Sequence, residues 1–245
     1  MKAILLCAGY ATRLYPLTKD RPKPLLDVAG KPIAEQIISK METIDEIDEV
    51  FIITNNKFFS HFDKWAKKVN CGKKIKVIND NTTSNEDRLG AMGDINFVIE
   101  KEAIGDDLLI VAGDNLFEFP LSDVFAMFDE KKSPVIALYD VGSTDLAKKY
   151  GIVTVDDKNK IINFVEKPEK PESTLSSTGV YIYPKETVKL ISKYMKEGGS
   201  KDKTGSFLEW LYKQEEIYCY ISKDKWYDIG SFEELERARK EYKDE

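Results

Sequence analysis

Short apolar runs alternate with helically spaced segments through the first 141 residues of this 245-residue chain, and few architectures accept that order. The runs AILLC (3–7), VFIIT (50–54), IKVIN (75–79), DLLIVAGD (107–114) and PVIALYDV (134–141) each read as a buried strand. Between them, IAEQIISKMETI (33–44) places apolar residues at 33, 37, 38, 41 and 44, on one face of a helix. FFSHFDKWAKKV (58–69), RLGAMGDINFVIEK (88–101) and LSDVFAMFDEK (121–131) continue the series. Strands joined through helices predict a mostly parallel sheet with helices on both faces. Such sheets bind ligands beyond the carboxyl ends of their strands. That singles out residues 8–24, 79–90 and 113–118.

The second half is patterned differently. YGIVTVDDKNKIINFVEKP (150–168) reads as two strands around a polar turn, and SSTGVYIYP (176–184) as another strand. KETVKLISKYMK (185–196) and SFLEWLYKQ (206–214) are helical, and IYCYIS (217–222) is a strand. WYDIGSFEELERARKEY (226–242) is a turn feeding a terminal helix. No internal repeat or low-complexity linker separates the halves. One continuous domain over residues 1–245 is expected, an α/β half (1–141) followed by a smaller α+β half (142–245).

Bulk properties remove several function classes. A net charge of -6 lacks the basic footprint of a nucleic-acid binder. No stretch approaches the roughly 18 apolar residues of a membrane span, and AILLC is too short for a signal-peptide core. Cys7, Cys71 and Cys219 are odd in number and widely spaced, which excludes a disulfide framework and any Cys-x-x-Cys zinc pattern. A reducing, cytoplasmic setting is expected. His61, the single histidine, sits in the amphipathic stretch KFFSHFDKW and reads as a surface or packing residue.

In this acidic chain, Arg13, Lys19, Arg21 and Lys23 crowd the segment after the first strand. A dinucleotide-binding turn would need glycines at 9, 11 and 14, but the chain has Gly9, Ala11 and Leu14. It would also need a helix to open at once, and Pro16, Pro22 and Pro24 forbid one. VAGKPI lacks the Ser or Thr and the upstream glycine of a P-loop. What remains is a long cationic loop.

That loop, LLCAGYATRLYPLTKDRPKPLL, resembles the signature of the sugar-1-phosphate nucleotidyltransferases, L-A-G-G-x-G-T-R-L-x-P-x-T followed by P-K and L-L. Ala8 and Ala11 stand where that signature has glycines. Further segments follow in the family's order: LGAMG (89–93), AGDNLF (112–117), YGIV (150–153), EKP (166–168), STGVYIY (177–183) and WYDIG (226–230). Together they extend over residues 3 to about 242. The resemblance implies an α/β fold: a Rossmann-like, mostly parallel mixed sheet with helices on both faces, the nucleotide-diphospho-sugar transferase fold, plus a smaller sugar-binding α+β part. It assigns 1–141 to the nucleotide and 142–245 to the sugar and a second metal carboxylate.

The implied reaction joins a nucleoside triphosphate to a sugar 1-phosphate, releasing pyrophosphate. The nucleophile is already an anion, so the task is to neutralise repelling polyanions rather than to remove a proton. The resemblance assigns catalysis to Arg13, Lys23 and Asp114. Nucleotide contacts fall to Leu6, Ala8, Gly9, Thr12, Arg13, Lys23, Thr83 and Gly90. Sugar-phosphate contacts fall to Gly151, Glu166, Lys167 and Gly179. Asp114 and Asp228 would hold Mg²⁺, which favours hard oxygen ligands and keeps water and phosphate in its shell. The resemblance also admits a homo-oligomer.

The base is expected to face NDNTTSNEDRLG (79–90), where Asn79, Asn81, Thr83 and Asn85 replace the Gln of the thymidylyl and uridylyl enzymes. The first expectation is dTTP or UTP with a hexose 1-phosphate such as glucose 1-phosphate. The alternative is a CTP-dependent cytidylyltransferase acting on phosphocholine, whose ammonium would want an aromatic cage; Tyr150, Tyr181, Tyr183, Trp210 and Trp226 are available. A third reading, an inactive nucleotide-sugar-binding paralogue, would be favoured by loss of Lys23 or a metal Asp; all are present.

Overall fold

The computed structural model describes residues 1–243. Its strands are β1 (Lys2–Leu6), β2 (Asp27–Val28), β3 (Lys31–Pro32), β4 (Glu49–Thr54), β5 (Lys74–Asn79), β6 (Leu108–Ala112), β7 (Asn115–Phe117), β8 (Val135–Asp140), β9 (Gly151–Val155), β10 (Ile161–Glu166), β11 (Leu175–Tyr183), β12 (Tyr218–Ser222) and β13 (Trp226–Asp228). Its helices are α1 (Ile33–Glu42), α2 (Phe59–Ala66), α3 (Ala91–Lys101), α4 (Leu121–Lys131), α5 (Thr144–Ala147), α6 (Lys185–Lys196), α7 (Thr204–Leu211) and α8 (Phe232–Glu241).

The main sheet runs β5-β4-β1-β6-β11-β8-β12, with β9 and β10 added beside the first part of β11. The β1/β4, β1/β6, β4/β5 and β8/β12 pairs are parallel. β11 runs against both β6 and β8. The sheet is therefore mixed and mostly parallel, as expected. It also crosses the 141/142 line, because β11 from the second half lies between β6 and β8 of the first.

Successive residues of β1, with Cys7 just after it, explain the layers. Ala3, Leu5 and Cys7 join one core with α1, α4 and α8 side chains such as Ile37, Val124 and Leu235. Ile4 joins the other with Ile95 and Val98 of α3, Ile191 of α6 and Phe207 of α7. A strand buried on both faces must be apolar at every position, which is why AILLC shows no alternation.

Several boundaries differ from the sequence reading. The run 107–114 ends as a sheet strand at Ala112; the chain turns at Gly113-Asp114, and β7 pairs with β13 in a separate two-stranded sheet. The helix expected from 88 starts at Ala91, because Gly90 has φ 81°, outside any right-handed helix. The helices expected over 58–69 and 206–214 are α2 and α7, with ends shifted by one to three residues. The β2/β3 hairpin and the short α5 carry no strong local pattern. Before α8, Ser231 accepts a hydrogen bond from Glu234 N at 3.2 Å, and Glu234 accepts one from Gly230 N at 2.9 Å. That is close to the reciprocal cap of an S-x-x-E sequence.

Candidate active site

The loop after β1 is built by local anchors. Asn55 Nδ2 donates to Ala8 O at 2.8 Å, and Thr18 Oγ1, fully buried, donates to Ala11 O at 2.7 Å. The prolines leave room only for two single 3-10 turns, Thr12–Leu14 and Lys23–Leu25. A Cβ placed on Gly9 would meet nothing within 4 Å, so the protein itself does not demand glycine there. The space it leaves opens onto a cavity.

Two cavities adjoin at the carboxyl ends of the strands. The first, of about 380 Å³, is bordered by Leu6, Ala8, Gly9, Thr12, Arg13 and Lys23 of the opening loop, and by Gly90 and Asp94 at the start of α3. The second, of about 330 Å³, is bordered by Gly151, Glu166, Gly179, Trp226 and Asp228. Asp114 borders both.

At that junction Lys23 Nζ donates to Asp114 Oδ2 and to Ile229 O, both at 2.7 Å. Asn115 Nδ2 donates to the other Asp114 oxygen at 2.8 Å. Burial pushes the Asp114 carboxyl up, but the Lys23 ammonium outweighs it and holds the group below the usual carboxylate range. The antiparallel register of β13 on β7 sets Asp228 against Asn115, and Ile229 N donates to Asp114 O at 3.2 Å. Asp228 is pushed up to about 6, first by burial and next by the Asp114 charge. The Arg13 guanidinium reaches the same corner: a Cβ on Gly230 would lie 3.5 Å from its Nη2. Trp226 Nε1 fixes Asn115 by donating to Oδ1 at 2.9 Å.

These carboxylates suit a hard divalent cation. Asp114, in the turn between β6 and β7, and Asp228, at the end of β13, repel one another, a state that a bound cation relieves. Among the described residues no three His, Cys, Asp or Glu side chains cluster as a metal site. Two protein carboxylates with water and phosphate completing the shell is a donor set that fits Mg²⁺.

In the second cavity Glu166 is wedged between two glycines; a Cβ on Gly151 would lie 3.0 Å from its Oε2, and one on Gly205 2.8 Å away. Lys203 Nζ holds the other Glu166 oxygen at 3.1 Å. Tyr150 and Tyr181 join Trp226 in the wall, whereas Tyr183 and Trp210 pack against Phe207 and lie outside it.

The first N–H groups of α3 already have partners within the chain. Ala91 N donates to Asp202 O at 3.0 Å, and Met92 N and Gly93 N donate to Lys201 O at 3.0 and 3.1 Å. The donors that a dinucleotide-binding fold offers to pyrophosphate are thus already used. Gly90 permits the contact, since a Cβ there would lie 2.4 Å from Lys201 O. On the cavity floor Asp94 is 6% exposed, and its Oδ1 has no hydrogen-bond partner. Burial and then the Asp80 charge push Asp94 up to about 8.

Most sequence-designated residues are brought together, with two exceptions. Thr83 does not border either cavity; its N–H and hydroxyl are spent on Asp87, at 3.0 and 2.9 Å. Of the four candidate base readers only Asn85 borders the first cavity; Asn79 is hydrogen-bonded to Asn56 at 2.9 Å and to Asn81 N at 2.8 Å. Lys167 is exposed at φ 50° and borders neither cavity. The cation beside Glu166 is Lys203, which the sequence reading missed, together with Arg88, Asp202 and Thr204. His61 is exposed on α2, edge-on to Phe58 at 5.9 Å, and borders neither cavity of the site. The three cysteines are unpaired. No helix of the described residues is long and apolar enough to cross a membrane.

Comparison with known proteins places this arrangement. The sequence model of the nucleotidyl transferase family matches residues 2–245. The bifunctional protein GlmU of Methanocaldococcus jannaschii is 32% identical over 231 residues, 94% of this chain and 51% of that protein. The UTP–glucose-1-phosphate uridylyltransferase AglF of Haloferax volcanii is 29% identical over 185 residues, 75% of this chain and 72% of its own length. The chain thus spans about half the length of the GlmU relatives it matches. Among solved structures, a UDP-glucose pyrophosphorylase complexed with UDP-glucose superposes with a TM-score of 0.79 at 22% identity, covering 98% of this chain and 97% of that one. The UTP-bound UGPase of Acinetobacter baumannii gives 0.79 at 20% identity, covering 98% and 92%. Their shared fold is the nucleotide-diphospho-sugar transferase fold expected above.

Proposed function

Because the chain belongs to the nucleotidyl transferase family, we propose that it converts a nucleoside triphosphate and a sugar 1-phosphate into a nucleoside-diphosphate sugar and pyrophosphate. The observation that carries this reading is the pair of adjoining cavities meeting at Asp114, with Lys23 at the junction. The triphosphate occupies the first cavity and the sugar phosphate the second.

An oxygen of the acceptor phosphate attacks the α-phosphorus, and the bond to the β-phosphate oxygen breaks as pyrophosphate leaves. No proton has to be removed, in keeping with a site that contains no histidine. Lys23, held by Asp114 and Ile229 O, stands ready to move from carboxylate to phosphate as charge arrives. Arg13, presented by its 3-10 turn, clamps oxygens of the departing pyrophosphate. The open space at Gly9 lets the chain approach the phosphates closely. Asp114 and Asp228 would hold Mg²⁺, which when bound would supply neutralisation of phosphate charge. Glu166 accepts hydrogen bonds from sugar hydroxyls.

The relatives and the second cavity both bear on substrate choice. A relative and structures named for UTP and UDP-glucose, and one named as a putative glucose-1-phosphate thymidylyltransferase, support a pyrimidine triphosphate, UTP or dTTP, with glucose 1-phosphate. Against phosphocholine, Tyr181 and Trp226 are only 4% and 6% exposed, which leaves little ring face for an ammonium. The test is a matrix of four triphosphates against several hexose 1-phosphates and phosphocholine, with and without Mg²⁺, read by pyrophosphate release. Release is expected for a pyrimidine triphosphate with a hexose 1-phosphate, and only with Mg²⁺. Silence across the matrix refutes the enzyme; activity confined to CTP and phosphocholine establishes the alternative.

A further inference from the structure

Among the described residues, Asp94 Oδ1 is the one buried side-chain atom bordering either cavity that has no hydrogen-bond partner. The other acidic side chains of the first cavity are matched, Asp114 to Lys23 at 2.7 Å and Asp202 to Arg88 at 3.1 Å. Asp94 instead faces Asp80, a second buried carboxyl just after β5. Thr82 N and Thr82 Oγ1 donate to Asp80 Oδ1 at 2.7 and 2.8 Å. The Tyr10 hydroxyl, 3.3 Å from Thr82 Oγ1, ties this turn to the opening loop. Asp80, with those donors, takes the negative charge, and Asp94 is the protonated partner that donates to it. A neutral Asp94 does not repel a triphosphate. With its proton spent on Asp80, it keeps an oxygen that can only accept.

A donor stands close by in the chain. Gly90 borders the same cavity, and nothing among the described residues accepts from its N–H. Arg13 and Lys23, the cations for phosphate, come from the opening loop, whereas Gly90 and Asp94 belong to the wall supplied by the connection from β5 into α3. The base falls to that wall. We infer that Asp94 chooses the base, its remaining oxygen accepting the N3–H of uracil or thymine while Gly90 N donates to the adjacent O4. This rests on the triphosphate reading proposed above. Cytosine has the opposite pattern, an acceptor at N3 and an amino donor at C4, so both contacts turn repulsive and the buried oxygen stays unpaired. With Asp94 in this role the chain can spend Asn79 on Asn56 and Thr83 on Asp87.

Calorimetric titrations in Mg²⁺ compare UTP, CTP and N3-methyl-UTP, in which a methyl replaces the donor hydrogen. If the matrix selects dTTP, it and its N3-methyl derivative take the place of UTP. The wild type is expected to bind UTP about 10²-fold more tightly than either of the others. Asp94→Ala should cut both ratios about tenfold. Asp94→Asn should keep most of each, because its amide N–H₂ serves Asp80 and its carbonyl oxygen accepts in the same place. The ratio of kcat/KM for UTP over CTP, with glucose 1-phosphate, should follow the same order. An Asp94 that only supports the fold would weaken all three ligands alike. Equal wild-type binding of UTP and N3-methyl-UTP, a wild-type preference for CTP or a purine triphosphate, or ratios that Asp94→Ala leaves intact overturns the inference while the reaction stands. The first two outcomes need no variant, so the inference can fail even where Asp94→Ala does not fold. If no triphosphate binds and none releases pyrophosphate, the reaction falls, and the inference with it.

Discussion

Ala11 stands in the left-handed region, φ 49° and ψ 41°, at the start of the turn that presents Arg13. The family glycine at this position answers a backbone need that alanine meets at a cost of about 1 kcal/mol. Thr18, by holding Ala11 O, helps to fix the strained residue in place. Ala11→Gly should raise the thermal midpoint by about 2 °C, as part of that cost is returned to the unfolded chain's greater freedom. Calorimetry checks it, and a lowered midpoint would contradict the strain. Lys23→Ala and Asp114→Ala should each reduce turnover about 10²–10³-fold, with a cooperative unfolding transition retained. Near-wild-type rates for both would refute their assignment. Asp94 gives a pH dependence. Its folded value of about 8 exceeds the ordinary Asp value, so between about pH 4 and 8 the folded chain holds a proton that the unfolded chain has lost. Stability contributed below that window is therefore lost as pH rises through it, and Asp80, also raised, adds in the same direction. Urea midpoints should decline from pH 5 to 8 in the wild type and decline less in Asp94→Asn.

At the scale of elements, periodicity located the strands and helices, but not the contacts that end them. α3 begins where Gly90 turns and where Lys201 O and Asp202 O cap its free N–H groups, more than a hundred positions away in sequence. No local pattern encodes such a cap. Gly90→Ala should push that segment off the helix and lower the thermal midpoint by about 4 °C or more. An unchanged midpoint would show that the cap yields freely. The β6 run hid its break for a related reason. Gly113-Asp114 reads as the end of an apolar strand, yet the next three residues belong to a different sheet whose partner, β13, is the WYD of residues 226–228. Asp114 and Asp228 were legible as a pair because motif order pointed to both; the hairpin-like register that brings them together was not. Thr83 and Lys167 show the same limit at the site. Each sits in the right segment, and turn geometry decides that Asp87 takes the first and solvent the second.

For the molecule as a whole, strand–helix alternation was enough for a mostly parallel sheet with cavities at the carboxyl ends of its strands, since both follow from handedness and packing. The placement of β11 was not legible, because an apolar strand carries no mark of its neighbours. That strand runs antiparallel between β6 and β8, and β9 and β10 join it at its first part. Residues 1–141 expressed alone should thus fail to give a cooperative unfolding transition, although they hold the whole opening loop and Asp114. A soluble fragment with a sharp melt would contradict this. Synthesis carries the same implication. As the chain leaves the ribosome, β6 has β1 on one side only and β8 has no partner until β11 begins at residue 175, so two bare apolar edges wait through more than thirty further additions. The step that completes the sheet is also the step that closes this window for misassembly, and slowing translation ahead of it should cost yield before it costs activity.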